Sequence, residues 1–170
     1  LIEASFQSGR CGTAIHDLKE AGGYRLKFPR ASLCEALIVN TGGGMAGGDH
    51  LHVHLNVGKE AQVLCSTQSA EKIYCSDGTV SIIDSRLELD EKANLFWLPQ
   101  ETILFEGARL TRQLSVNMPV SARFMACEIL VFGRQAMGES LHDVELKDHW
   151  DIRRDGCLIF AERIRMHGDL

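Results

Sequence analysis

Several features are scarce in this 170-residue chain, and each scarcity excludes something. Only three prolines and no low-complexity run are present, so nothing divides the chain into linked units. No stretch approaches the roughly 20 consecutive apolar residues of a membrane span. Positive charge is in deficit, with 18 Lys and Arg against 23 Asp and Glu. That argues against nucleic acid as a main partner, because phosphate binding draws on clustered cations. The six cysteines (11, 34, 65, 75, 127 and 157) lack the close pairing of a zinc site. Residues 1–5 show no basic stretch leading into an apolar one, so no export signal is read there. With 45% hydrophobic and 24% charged residues the composition is globular, neither disordered nor coiled-coil. The expectation is one domain in a reducing, cytoplasmic setting, with most cysteines acting as small buried hydrophobes. Cys11 and Cys75, in polar surroundings, are the two expected not to be inert.

What is present reads mainly as strands. Leu51, Val53, Leu55 and Val57 alternate with His50, His52, His54 and Asn56 and end at Gly58. Further strands are expected over 61–65, 79–89, 94–98, 102–105, 110–116 and 157–164. Turn signals fall at Gly22-Gly23, Asp77-Gly78, Glu106-Gly107 and Asp155-Gly156. One segment departs from this. After Pro119, Ser121 can cap a helix, and Ala122–Phe132 contains helix formers that stop at Gly133. There the sequence predicts one helix of about three turns, with Phe124, Cys127 or Glu128, and Val131 on one face.

The stretch from Asn40 to Asp49 holds five glycines. Gly42, Gly44 and Gly47 satisfy G-x-G-x-x-G, but a strand follows where a dinucleotide fingerprint needs a helix. A tight structural connection is the plainer reading. His50, His52 and His54 share one face of a strand, at about 6.5–7 Å between neighbouring Cβ atoms. Two imidazoles at that spacing can reach one metal, and Asp49 adds an oxygen if the turn folds back. A solvated polar face is the plainer reading of the same residues. Ser69 and Lys72 fit S-x-x-K, yet the companion motifs of a Ser/Lys hydrolase are absent from the sequence.

Taken together, four blocks resemble a known family. They are Asn40–Asp49, Ser66–Tyr74, Trp97–Ala108, and Phe132-Gly133-Arg134 with Met137-Gly138-Glu139. In this order, within positions 38 to 139, they are similar to the urease accessory protein UreD (UreH) family. The resemblance implies a mainly β fold: an elongated, β-helix-like wrapping of strands with one or two α-helices. It implies a single domain over 1–170, cut short at the C-terminus. It further implies a non-catalytic maturation chaperone that binds the urease apoprotein and works with UreF-type and UreG-type accessory proteins. A homodimer within that complex is compatible with it, whereas nucleic acid and membrane are not expected partners. The cargo would be transient Ni²⁺, with no tightly bound cofactor, moving along a polar route inside the protein. Thr67, Ser69, Tyr74, Glu101 and Glu139 fall in the segments expected to line or support that route. A scaffold that never holds nickel is the alternative. Phe96 stands where family members commonly carry an acidic residue, and the His-x-His-x-His strand is not a usual family feature.

Overall fold

The computed structural model describes residues 1–134 and 137–168. Fifteen strands follow one another: β1 (Ile2–Gly9), β2 (Gly12–Glu20), β3 (Tyr24–Lys27), β4 (Cys34–Asn40), β5 (His50–Val57), β6 (Gln62–Thr67), β7 (Glu71–Ile73) and β8 (Ser81–Leu89). After them come β9 (Asn94–Trp97), β10 (Thr102–Leu104), β11 (Arg109–Met118), β12 (Arg123–Ala126), β13 (Leu130–Phe132), β14 (Val144–Arg154) and β15 (Cys157–Gly168).

These strands form a long sheet (β15-β14-β11-β8-β5-β1-β2), a middle sheet (β12-β9-β6-β4-β3) and a short sheet (β13-β10-β7). The chain visits the three in rotation. β6, β7 and β8 make one coil, β9 to β11 the next, and β12 to β14 another, each lying parallel to the coil before it. The result is a β-solenoid, flanked by the antiparallel pairs β1–β2 and β14–β15. Because pairing is in register, like positions stack from coil to coil. Ala4, Leu55, Leu87, Val116 and Ile152 form one such column. The alternating apolar residues of β5, β8 and β11 all face inward, and their burial away from water holds the coils together.

The helix expected over Ala122–Phe132 does not form. That segment is β12, a connection, and β13, and among the described residues no α-helix occurs. The preceding coil already offers a template there. Arg123 N donates to the Ala93 carbonyl at 2.8 Å, Cys127 N to that of Trp97 at 3.1 Å, and Gly133 N to that of Leu104 at 2.8 Å. These bonds across coils override a weak local helix propensity. The expected cap, Ser121, instead accepts a hydrogen bond from Lys92 N at 3.1 Å. No helix among the described residues is long and apolar enough to cross a membrane.

All six cysteines are free, but only Cys65 is buried and Cys34 half-buried. Cys127 and Cys157, expected inside, lie exposed, one in the connection after β12 and the other on the outermost strand.

The glycine stretch forms a tight connection between β4 and β5, pressed against the next coil. Met45 N donates to the Lys72 carbonyl at 2.7 Å and Tyr74 N donates to that of Met45 at 2.9 Å. A Cβ on Gly44 would lie 2.9 Å from the Lys72 carbonyl oxygen and inside the Tyr74 ring. Gly44→Ala is therefore expected to lower stability by about 1–3 kcal/mol. Gly9→Ala, whose Cβ would approach nothing nearer than 3.7 Å, should stay within about 0.5 kcal/mol of the parent. Urea unfolding of the two variants checks this contrast.

Candidate functional site

The inward-facing positions of a solenoid are normally apolar, yet two strands place charges there. On β11 the buried series Leu110, Leu114, Val116 is interrupted by Arg112, and on β14 the series Val144, Leu146 is followed by Asp148. In-register pairing makes Arg112 and Asp148 neighbours on adjacent coils. Arg112 Nε donates to Asp148 Oδ1 at 3.1 Å, and Nη2 donates to Oδ2. A second carboxylate enters from the connection between β12 and β13. Glu128 Oε2 forms an ion pair with Arg112 Nη1 at 2.7 Å. Its Oε1 accepts from Trp97 Nε1. The side chains of Arg112, Glu128 and Asp148 are 7%, 6% and 4% exposed, so the cluster is almost dry.

Beside it lies a cavity of about 40 Å³, lined among others by Thr67, Glu71, Gln100, Thr102, Arg112 and Glu128. Glu71 is held by Asn40 Nδ2, which donates to Oε1 at 2.7 Å, and by Tyr24 OH, which donates to Oε2 at 3.3 Å. Burial raises the pKa of Glu71, partly offset by those two donors. Burial likewise raises that of Glu128, against the pull of Arg112 and Trp97. Burial works to lower the pKa of Arg112, but Asp148 and Glu128 outweigh it and the net shift is upward. One fixed cation thus serves two buried carboxylates, Asp148 and Glu128, in a low-dielectric setting.

The residues singled out from sequence fall in different places. Thr67 lines the cavity, accepting from Gln100 N at 3.0 Å and donating to the Ser69 carbonyl at 2.9 Å. Ser69 itself is exposed, and among the described residues no hydrogen bond joins it to Lys72. The Glu101 carbonyl accepts from Glu71 N at 2.9 Å. Tyr74 donates to the Gly43 carbonyl at 3.2 Å and meets Phe105 edge-on. Arg134 lies over the Phe105 ring, 4.5 Å from its centroid. Glu139 grips Arg134, accepting from its Nε at 2.9 Å and its backbone N at 2.8 Å. Arg134 holds its pKa down at about 2.

His50, His52 and His54 lie on the outer face of the long sheet, with the His50 and His52 rings 5.9 Å apart. His52 Nδ1 is 3.7 Å from Asp84 Oδ2. Asp49 does not fold back onto this face. Its carboxylate accepts from Ala46 N at 2.8 Å and closes its own turn. Among the described residues no group of three or more His, Cys, Asp or Glu stands ready to hold a metal ion.

The family model described as UreD urease accessory protein matches residues 2–170. This chain belongs to the UreD urease accessory protein family. Urease accessory protein UreD 1 of Methylobacterium radiotolerans is 46% identical to it over 160 residues, covering 94% of this chain and 56% of that protein. UreD 1 of Bradyrhizobium sp. (strain ORS 278) is 41% identical over 160 residues, covering 93% and 58%. UreD of Rhodopseudomonas palustris (strain HaA2) is 42% identical over 155 residues, covering 90% and 56%. The chain thus spans a little over half the length of these curated relatives.

The fold explains why the UreD blocks recur along the sequence. Met45, Ile73, Leu104 and Phe132, one from each block, stack in a single column at the short sheet. Arg112, Asp148 and Glu128 lie outside or between the blocks, and sequence reasoning missed them as a site. Arg112 and Asp148 did carry a signal, a charge in the inward phase of an alternating strand. Glu128 carried none, because its segment was read as a helix.

Two expectations follow. Arg112→Ala leaves two buried carboxylates without a cation and should cost about 3–5 kcal/mol, whereas Glu128→Gln leaves a balanced pair and should cost far less. Thermal melts of both variants check the asymmetry. A carboxyl with a raised folded pKa keeps its proton longer in the native than in the unfolded chain. The contribution of Glu71 to stability is therefore complete below its ordinary value of 4.5 and is lost as pH climbs through the folded value. Glu71→Gln lacks this dependence. Urea unfolding at pH 5 and pH 8 should show the parent losing ground to Glu71→Gln at the higher pH.

Proposed function

We propose that this chain is part of a cytoplasmic, non-catalytic maturation chaperone that assists nickel insertion into the urease apoprotein. In this reading it acts with UreF-type and UreG-type accessory proteins, and Ni²⁺ is cargo, not a resident cofactor. One observation carries the reading: inside a mainly apolar solenoid lies a cavity whose lining includes Glu71, Glu128, Thr67 and Thr102 beside Arg112. Such a cluster is costly to bury, and a well-packed apolar core of the same volume is often as stable or more so. Its chemistry therefore points to use beyond the fold. Oxygen donors without thiolates hold a borderline cation weakly, as befits an ion that must be passed on.

A scaffold role is favoured by a separate observation. Val120, Met125, Ile129, Leu158, Ile159 and Phe160 are large apolar side chains left exposed around the last coil and β15. Strand edges and apolar side chains of this kind suit protein contacts.

The two readings separate in cells expressing urease with its accessory proteins. The double variant Glu71→Gln/Glu128→Gln should still co-purify with urease and the accessory proteins, yet lower urease activation at least several-fold. Full activation by that variant would favour the scaffold. Failure of the unaltered full-length protein to associate with any of these proteins would overturn both.

A further inference from the structure

The two ends of the solenoid differ. At the first end β1 and β3 lie beyond β5 and β4, so the long and the middle sheet each gain a strand. Ile2, Phe6, Tyr24 and Leu26 are at most 7% exposed there. At the far end only the long sheet is extended, by β15, while β12 and β13 are the last strands of their sheets. Burial weakens there in every sheet. Val63 and Leu95 are buried, but Phe124 beside them is only half-buried. Ile73 and Leu104 are fully buried, but Phe132 is not. Leu87 and Val116 are buried, Ile152 is half-buried, and Phe160 is 45% exposed. Directly opposed residues of an antiparallel pair share a face. Phe160, Ile164 and Met166, opposite Ile152, Asp148 and Leu146, therefore overhang this open end. The backbone is open too. Arg123 and Cys127 turn their amides to β9, and Gly133 turns its own to β10. By alternation the amides of Phe124, Ala126, Leu130 and Phe132 point to the bare edges.

We propose that in the full-length protein a further coil of the same polypeptide lies along β12 and β13, beneath the overhang of β15, and closes this end. The coil adds one strand to the middle sheet and one to the short sheet, with apolar side chains facing Phe124, Ala126 and Phe132. The relatives have the length for it. In the Methylobacterium radiotolerans protein, the part outside the matched segment is several times longer than Gln62–Leu89, which makes one coil here. A second copy of this chain fits less well. β15 stands one strand beyond β12 and β13, so pairing it with its counterpart in another molecule leaves both shorter edges bare. A separate partner protein must supply two strands in register at once. A segment of the same chain is held nearby by its tether, which raises its effective concentration. The apolar side chains of β15 then belong to a buried seam of the fold, and contacts with other proteins are made elsewhere.

A closed end does not depend on the nickel reading, and either can fail alone. Residue-resolved hydrogen exchange is followed on the full-length protein by itself, at a low and a high protein concentration, and again with urease and the accessory proteins. In the protein alone, at both concentrations, the amides of Phe124, Ala126, Leu130 and Phe132 should exchange within about tenfold of those of Leu95 and Leu104. Faster exchange than that overturns the proposal. Protection that appears only at the higher concentration overturns it in favour of a second copy. Protection that appears only with the other proteins overturns it in favour of a partner surface. Phe160→Ser gives a second reading. In the full-length protein it should lower the melting temperature by at least about 4 °C, as for a buried aromatic. An unchanged melting temperature overturns the closed end equally.

Discussion

In-register stacking of parallel coils is the constraint on which the remaining structure depends. Along the parallel pairs between β4 and β14, backbone N–H and C=O groups bond one coil away, so a residue acquires a neighbour about 4.8 Å distant that lies roughly one circuit away in sequence. Apolar columns such as Ala4, Leu55, Leu87, Val116 and Ile152 satisfy this arrangement with no further device. A polar residue at an inward position has no such freedom. It must find a complement in the next coil or from a connection, and Arg112 finds both.

That is why the interior cluster is assembled from three separate places. Asp148 comes from the next coil of the long sheet and Glu128 from the connection between β12 and β13. Thr102 comes from the short sheet. Each contact is modest, but in a dry interior the carboxylates have no water to share their charge. The same geometry ties the outer corner. Tyr74, Phe105, Arg134 and Glu139 join three successive connections into one strut beside the short sheet. In UreD terms, the sequence blocks supply the corner, its backbone geometry and Glu71, while Arg112 and Glu128 lie between blocks and Asp148 beyond the last of them.

The strands were legible because they alternate. β5, β8 and β11 appear almost at their true limits in a reading of apolar periodicity alone, and the glycine stretch announced a close approach. The segment from Ala122 to Phe132 was illegible for the opposite reason. Its composition favours a helix, and only hydrogen bonds to Ala93, Trp97 and Leu104, all in the preceding coil, decide otherwise. Asp49 shows the same limit on a smaller scale. Spacing alone left it free to join the histidines, but the turn in which it sits claims its carboxylate first.

By itself, then, the amino-acid order determined a strand-rich, acidic chain, its turns, the outward face of His50, His52 and His54, and the resemblance to the UreD family. Those properties depend on neighbours within a few residues, or on motif blocks kept in order. The tertiary structure alone decided that the blocks stack in one column, that Cys127 and Cys157 face outward, and that Arg112, Glu128 and Asp148 share a buried site. These depend on register between coils, which is set by pairing energies summed over whole strands and is written in no local run of residues.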